Sequence, residues 1–141
     1  MHLQLITLQG VSVDTDIYEL MAPTAAGEIA VFPGHEPLVT LAEPGALAVR
    51  YEKGDNDEAL DYFAISGGII EISPAAIRVL VDEADNGEDI VEAESKAALD
   101  RAMKLRSEAK NQVEIDKAHE LIDRAQVRLR VAELHHRRRH H

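Results

Sequence analysis

GEIAVFPGHEPLVTLAEPG, residues 27–45, packs three of the chain's five prolines, three of its eight glycines and one histidine into nineteen positions. Two short apolar runs flank a Pro-Gly-His-Glu-Pro centre: Ile29, Val31 and Phe32 before it, and Leu38, Val39 and Leu41 after it. Pro33 and Pro37 cannot donate to a sheet ladder, so the chain must leave the sheet between the two runs. Gly34 after Pro33 fits a tight turn that needs a positive φ. Pro44-Gly45 closes the second run. The reading is strand, stiff proline-framed loop, strand, turn, and such a loop on a β scaffold is a place to meet a partner.

The residues on either side extend this β pattern. Leu3 and Leu5 alternate with polar neighbours, as do Val11 and Val13, and residues 17–22 have strand length. After the opening stretch, residues 46–51, 61–66, 68–72 and 77–81 read as further strands, with Gly54-Asp55-Asn56-Asp57 as a hairpin turn and Ser73-Pro74 as a break. About nine to ten short antiparallel strands, turning every eight to ten residues, predict a β sandwich or flattened barrel. The spacing is too tight for parallel crossovers.

Beyond Val81 the composition changes. Residues 82–87 form an acidic connector ending in Gly87, and from Glu88 to Glu133 there is neither Gly nor Pro. Val91, Ser95, Ala98, Ala102, Leu105 and Ala109 recur at alternating four- and three-residue steps; so do Ile115, Ala118, Ile122, Ala125, Leu129 and Ala132. Lys110 to Glu114 interrupts them. Two helices joined by a short link make an antiparallel helical hairpin. The expected division is a sandwich over 1–84, a linker over 85–89, a hairpin over 90–134 and a basic, histidine-rich tail over 135–141. The seams are rich in alanine. Apolar burial is worth about 25 cal/mol per Å², so they hold less firmly than leucine seams and favour a hairpin that can open.

Composition narrows the function. With no cysteine there is no disulfide framework or thiol chemistry. No run nears the roughly 20 apolar residues a membrane span needs. The start, MHLQLITLQG, lacks the basic segment and apolar core of a signal peptide. Residues 1–89 carry 17 acids and 3 bases (−14) and residues 90–141 carry 9 acids and 12 bases (+3), which returns the net −11. The acidic first part argues against a nucleic-acid grip, and no nucleic-acid partner is expected. An enzyme or sugar-binding sandwich would need clustered carboxylates or aromatic platforms; the three Tyr and two Phe are scattered. His135, His136, His140 and His141 could hold a metal loosely, but they are not read as a native metal site. Neither catalytic residues nor a cofactor are expected.

The order of motifs resembles the epsilon subunit family of bacterial F-type ATP synthases, homologous to the mitochondrial delta subunit. The resemblance rests on Gly27-Glu28, FPGHEPLVT (32–40), Pro44-Gly45, AISGGIIEI (64–72), VLVDEA (79–84) and RAQVRLRVAEL (124–134), and covers almost the whole chain. It implies a non-catalytic rotor subunit in the central stalk. The sandwich would pack on the gamma subunit and the c-subunit ring, coupling the ion-driven ring to ATP synthesis. The hairpin would fold against the sandwich or extend toward the alpha/beta catalytic head and inhibit ATP hydrolysis. It further implies a peripheral place on the cytoplasmic face of the bacterial plasma membrane, with membrane contact only through the complex.

By residue match, the resemblance places Glu28, Phe32, Pro33, Gly34 and His35 against the c ring and gamma. No Ser, Asp or second His stands at a telling spacing from His35, so it reads as a hydrogen-bonding staple of its loop. Ser66-Gly67-Gly68 lacks the lysine and helix start of a phosphate cradle. Lys117, Arg124 and Arg128 share one helical face. The resemblance implies that this stripe meets an acidic segment of the catalytic head, while the residues alone also allow intrahelical pairing with Glu120, four before Arg124. Some family members bind ATP on the folded hairpin through an Ile/Leu-Asp-x-x-Arg-Ala motif. The matching stretch, Ile90 to Ser95, has Val91 at the Asp position and Glu94 at the Arg position. A carboxylate there repels phosphate, and Arg124 and Arg128 alone leave half the site missing, so weak or no ATP binding is expected, which argues against the alternative of a nucleotide-sensing module.

Overall fold

The computed structural model describes residues 1–139, with side-chain surroundings through Arg137; His140 and His141 of the expected histidine group lie outside the described residues. Ten strands precede two helices. The strands are β1 (His2–Thr7), β2 (Gly10–Asp16), β3 (Glu19–Thr24), β4 (Gly27–Val31), β5 (Leu38–Ala42), β6 (Gly45–Arg50), β7 (Asp61–Ile65), β8 (Gly68–Ile72), β9 (Ala76–Val81) and β10 (Ala84–Asn86). The hydrogen-bonded path runs β10-β7-β6-β3-β5-β8-β9-β1-β2, with β4 on the free edge of β3. It narrows to one residue pair, Thr24 with Ala42, between β3 and β5. Two five-stranded halves meet there, and their inward residues form one core: Leu20, Leu47, Val49 and Phe63 from one half, Leu3, Leu5, Ile70, Ile77 and Val79 from the other. This is the sandwich expected from the sequence.

Pro23 lies within β3, one residue beyond the predicted strand end. It falls at the corner between the last pair with β6, Met21–Ala48, and the single pair with β5. Its missing N–H removes no rung there, and its carbonyl accepts from Glu43 N at 3.0 Å. The pairing is not antiparallel throughout: β1 lies parallel to β9. A long connection is what parallel neighbours require, and almost the whole sandwich lies between these two strands. The acidic connector also carries β10, an edge strand on β7. Asp61 fastens it, accepting from Asn86 Nδ2 at 3.0 Å and from Tyr51 Oη at 2.7 Å. A 3-10 turn, Gly87–Asp89, leads into the helices.

Helix α1 spans Glu92–Glu108 and α2 spans Gln112–Arg139, so α2 continues past residue 134 through the basic tail; nothing in residues 135–139 breaks a helix. The start of α2 is capped by side chains. Asn111 Oδ1 accepts from Glu114 N at 2.9 Å while Glu114 reaches back to Lys110 N at 2.7 Å. The seam buries Ser95 and Ala102 of α1 against Ala118, Ile122 and Ala125 of α2, but leaves Val91 and Leu105 about half exposed. The C-terminal part of α2 then leaves the hairpin and packs Val131 and Ala132 on Ala64 and Ile90.

Candidate functional site

The proline-framed loop has the geometry its sequence requires. His35 N donates to Phe32 O at 3.2 Å, closing a four-residue turn with Pro33 second and Gly34 third. Gly34 has φ +83°, where an L side chain would be strained. The His35 ring lies 2.8 Å, through Nδ1, from the carbonyl of Glu36; Nδ1–H donates and staples the loop. Gly34 N ties the loop to Pro74 O at 3.4 Å, beside the β8–β9 turn. Phe32 is partly exposed and meets Tyr18 edge to face, with ring centroids 5.7 Å apart. Glu28 is exposed but stands apart from this loop. It pairs with Pro23 near the opposite end of β4. Four residue steps along the strand separate it from Phe32, roughly 13 Å at about 3.3 Å per residue. The five residues therefore fall on two ends of the sandwich: Phe32 to His35 at one end, and Glu28 at the end where the hairpin begins.

Between those ends lies a surface that the sequence reading did not single out. Register places Leu41 opposite Ile69, Ile69 opposite Leu80, Leu80 opposite Ile6, and Ile6 opposite Val11. Opposed residues share a face, so this apolar row crosses β5, β8, β9, β1 and β2 on the outside of the sandwich. Leu41 is 61% exposed, Val11 59% and Ile69 43%; Val39, beside the row, is 71% exposed. Next to it, Arg78 and Glu71 form an ion pair at 3.3 Å. The signal was present in the sequence: LVTLA, GIIEI and AIRVLV carry apolar residues at consecutive positions, as strands covered on both faces do.

At the other end the hairpin docks. Arg124 Nε donates to Glu83 Oε2 at 2.9 Å, and Arg128 Nη1 donates to Asp85 Oδ2 at 2.5 Å. The partner found for Arg124 is thus 41 residues away, in place of Glu120 in its own helix. Lys117 is exposed two helical turns before Arg124. Ser66, in place of any ligand role, pins the connector: its hydroxyl accepts from Glu83 N at 2.9 Å. Gly68 allows β8 and β9 to approach, since a Cβ there would lie 2.0 Å from Leu80 O. A cleft of about 380 Å³ between the helices is lined by Glu94, Arg101, Arg124, Arg128, Leu105 and Leu121 among others. His135 is turned toward Gly87, with neither ring nitrogen hydrogen-bonded among the described residues.

At the N-terminal strand, His2 bridges Asp14 and Asp16 across β2. Hydrogen bonds to Asp16 and then Asp14 raise its pKa above the ordinary 6.5. No described helix is long and apolar enough to cross a membrane.

A family model for the ATP synthase delta/epsilon chain β-sandwich domain matches residues 1–87. The chain is 32% identical to the ATP synthase epsilon chain of Chloroflexus aggregans over 134 residues, 95% of this chain and 93% of that one. To the ATP synthase epsilon chain of Laribacter hongkongensis it is 33% identical over 140 residues, 99% and 98% of the two chains. In fold it is similar to a chain of the Euglena gracilis mitochondrial ATP synthase OSCP/F1/c-ring structure, with a TM-score of 0.78, 24% identity, and coverage of 94% of this chain and 80% of that chain. A chain of the Tetrahymena thermophila mitochondrial ATP synthase central stalk and c-ring structure is similar at a TM-score of 0.60 and 12% identity, covering 94% and 96%.

Proposed function

Because the chain belongs to the ATP synthase delta/epsilon family, we propose that it is a non-catalytic rotor subunit of the central stalk. The sandwich docks on the gamma subunit and the c-subunit ring, and the hairpin regulates the catalytic head. The observation that carries this reading is the outward apolar row from Leu41 to Val11, which spans five strands. Soluble chains rarely leave contiguous apolar surface uncovered without a partner for it. The row suits the gamma subunit. The proline-framed loop, with Phe32 to His35, and Glu28 at the far end suit the polar contacts of a turning ring; stiffness there keeps the sandwich square to its partner. In the extended state, Lys117, Arg124 and Arg128 meet an acidic segment of the head and halt ATP hydrolysis. Membrane contact, at the cytoplasmic face of a bacterial plasma membrane, runs through the complex, which couples ion flow to ATP synthesis.

The test is binding to purified gamma subunit. Ile69→Glu or Leu41→Glu places a charge in the row, and each is expected to weaken the complex at least tenfold while leaving the thermal unfolding of the chain within a few degrees. Unchanged affinity for both would remove the row as the docking face. A nucleotide-sensing role finds less support: Arg124 and Arg128 already face Glu83 and Asp85, and Glu94 adds a carboxylate to the cleft. A micromolar ATP dissociation constant by calorimetry would reverse that preference.

A further inference from the structure

We infer that the open seam of the sandwich, between β2 and β10, takes an extended basic segment of a partner protein as an added strand. The hydrogen-bonded path starts at β10 and stops at β2, and among the described residues each of these strands pairs on one side only. Such edges offer main-chain donors and acceptors to an incoming strand. The two edges face each other across a cleft of about 480 Å³, with Ser12 and Val13 of β2 on one side and Ala84 and Asn86 of β10 on the other. Register fixes which groups turn toward the seam. Ser66 N donates to Glu83 O at 3.1 Å. In the antiparallel β10–β7 pair, residues 83 and 85 therefore turn their main chain to β7, and Ala84 and Asn86 turn theirs away from it. On the β2 side, Met1 and Ile17 exchange both main-chain bonds. Val13 and Thr15 therefore bond to β1, and Asp14 and Asp16 turn their main chain outward. The pairing shifts between Leu5 and Ile6, which leaves Ser12 as the extra, unpaired residue of β2.

Charge selects the occupant. Asp61, Asp85, Glu88 and Asp89 line the cleft, and no basic residue lines it among the described residues. Asp85 is engaged by Arg128, but Glu88 and Asp89 are exposed and make no ion pair among the described residues. A second copy offering its own β2 would set Asp14 and Asp16 against these carboxylates, and like charges repel. The chain's own basic end does not serve either, because α2 stays helical through Arg139. A lysine- or arginine-bearing strand meets both requirements: its main chain joins the two edges, and its side chains neutralise the acidic rim. Acidic edges thus keep out like edges and admit a basic one. The inference is independent of which protein covers the outward apolar row.

The probe is an acetylated, amidated peptide of sequence Lys-Val-Lys-Val-Lys-Val, titrated into the unaltered chain at low salt and followed by amide shifts and amide exchange. Saturable binding is expected, with slowed exchange at Asp14 on one edge and at Ala84 and Asn86 on the other. Methylating alternate peptide nitrogens keeps the charge but removes main-chain donors, and should weaken binding about tenfold or more. The matching Glu-Val peptide should not bind. Glu88→Gln with Asp89→Asn should weaken binding of the Lys-Val peptide about tenfold, the scale of two exposed ion pairs. No saturable binding at millimolar peptide would overturn the inference. So would slowed exchange on one edge alone, a methylated peptide that binds as tightly as its parent, an acidic peptide that binds as well as the basic one, or a double variant that binds like the unaltered chain. These readings need no gamma subunit or catalytic head, so their failure is separate from failure of the docking reading.

Discussion

The sandwich and the hairpin are held by different amounts of the same force. Of the ten largest fully buried side chains, nine are Leu, Ile or Val of the sandwich and one, Val131, belongs to the helices. Along the helix seam the buried positions are Ser95, Ala102, Ala118, Ile122 and Ala125. Alanine removes little apolar area from water, so the seam gains little per residue. A firmly cored part is thereby joined to a part whose own cohesion is small. Rigid docking suits the first and two-state movement suits the second.

The largest effect that would sharpen this contrast is in the core. Leu47→Ala, at a position with no exposure, should cost about 2–5 kcal/mol in denaturant unfolding, whereas Ala98→Gly in the seam should leave the sandwich transition in place. Next is the junction. A Cβ at Gly87 would lie 2.8 Å from His135 Cβ, so Gly87→Ala should force the end of α2 off the connector at about 1–3 kcal/mol. Faster amide exchange in residues 127–137, with sandwich exchange unchanged, would record it. An opposite, smaller effect is expected from His135→Leu. The imidazole nitrogens there are shielded without a hydrogen-bond partner among the described residues, and an apolar replacement should tighten closure by about 1 kcal/mol, seen as slower exchange in the same residues.

The smallest effect is a pH dependence on the sandwich side. His2 has a folded pKa raised above 6.5 by Asp16 and Asp14. Its protonated form is favoured by folding, so its contribution is full below pH 6.5 and is lost as pH rises through the higher folded value. Protection of β1 and β2 amides should therefore be greater at pH 5.5 than at pH 8.5, and His2→Ala should flatten the difference. A pH-independent exchange pattern in the unaltered chain would contradict the bridge.

Much of this contrast is legible in residue order. Period-two alternation in residues 2–6, the two Pro-Gly turns, and the glycine- and proline-free run after Glu88 point to strands, loops and helices where they occur. What escapes has long-range causes. Ala84-Asp85-Asn86 has no β preference, and β10 forms because the open edge of β7 accepts it. The parallel β1–β9 pair is set by closure of the sandwich, which no local pattern encodes. At the candidate site the turn around Gly34 follows from Pro-Gly chemistry, whereas the separation of Glu28 from that turn needs the strand between them to be placed. The outward row was written in the consecutive apolar residues of β5, β8 and β9, but it becomes a row only through cross-strand register. Sequence offered Arg124 a partner within its helix; the fold offers Glu83, already oriented by Ser66.

The most direct test of a firmly docked sandwich carrying a separable brake is ATP hydrolysis by the assembled complex containing the chain ended after Asp89. The expected result is a complex that still forms and still couples ion flow to ATP synthesis, with hydrolysis several-fold above that of the complex with the full chain. Hydrolysis unchanged by removal of both helices would contradict it.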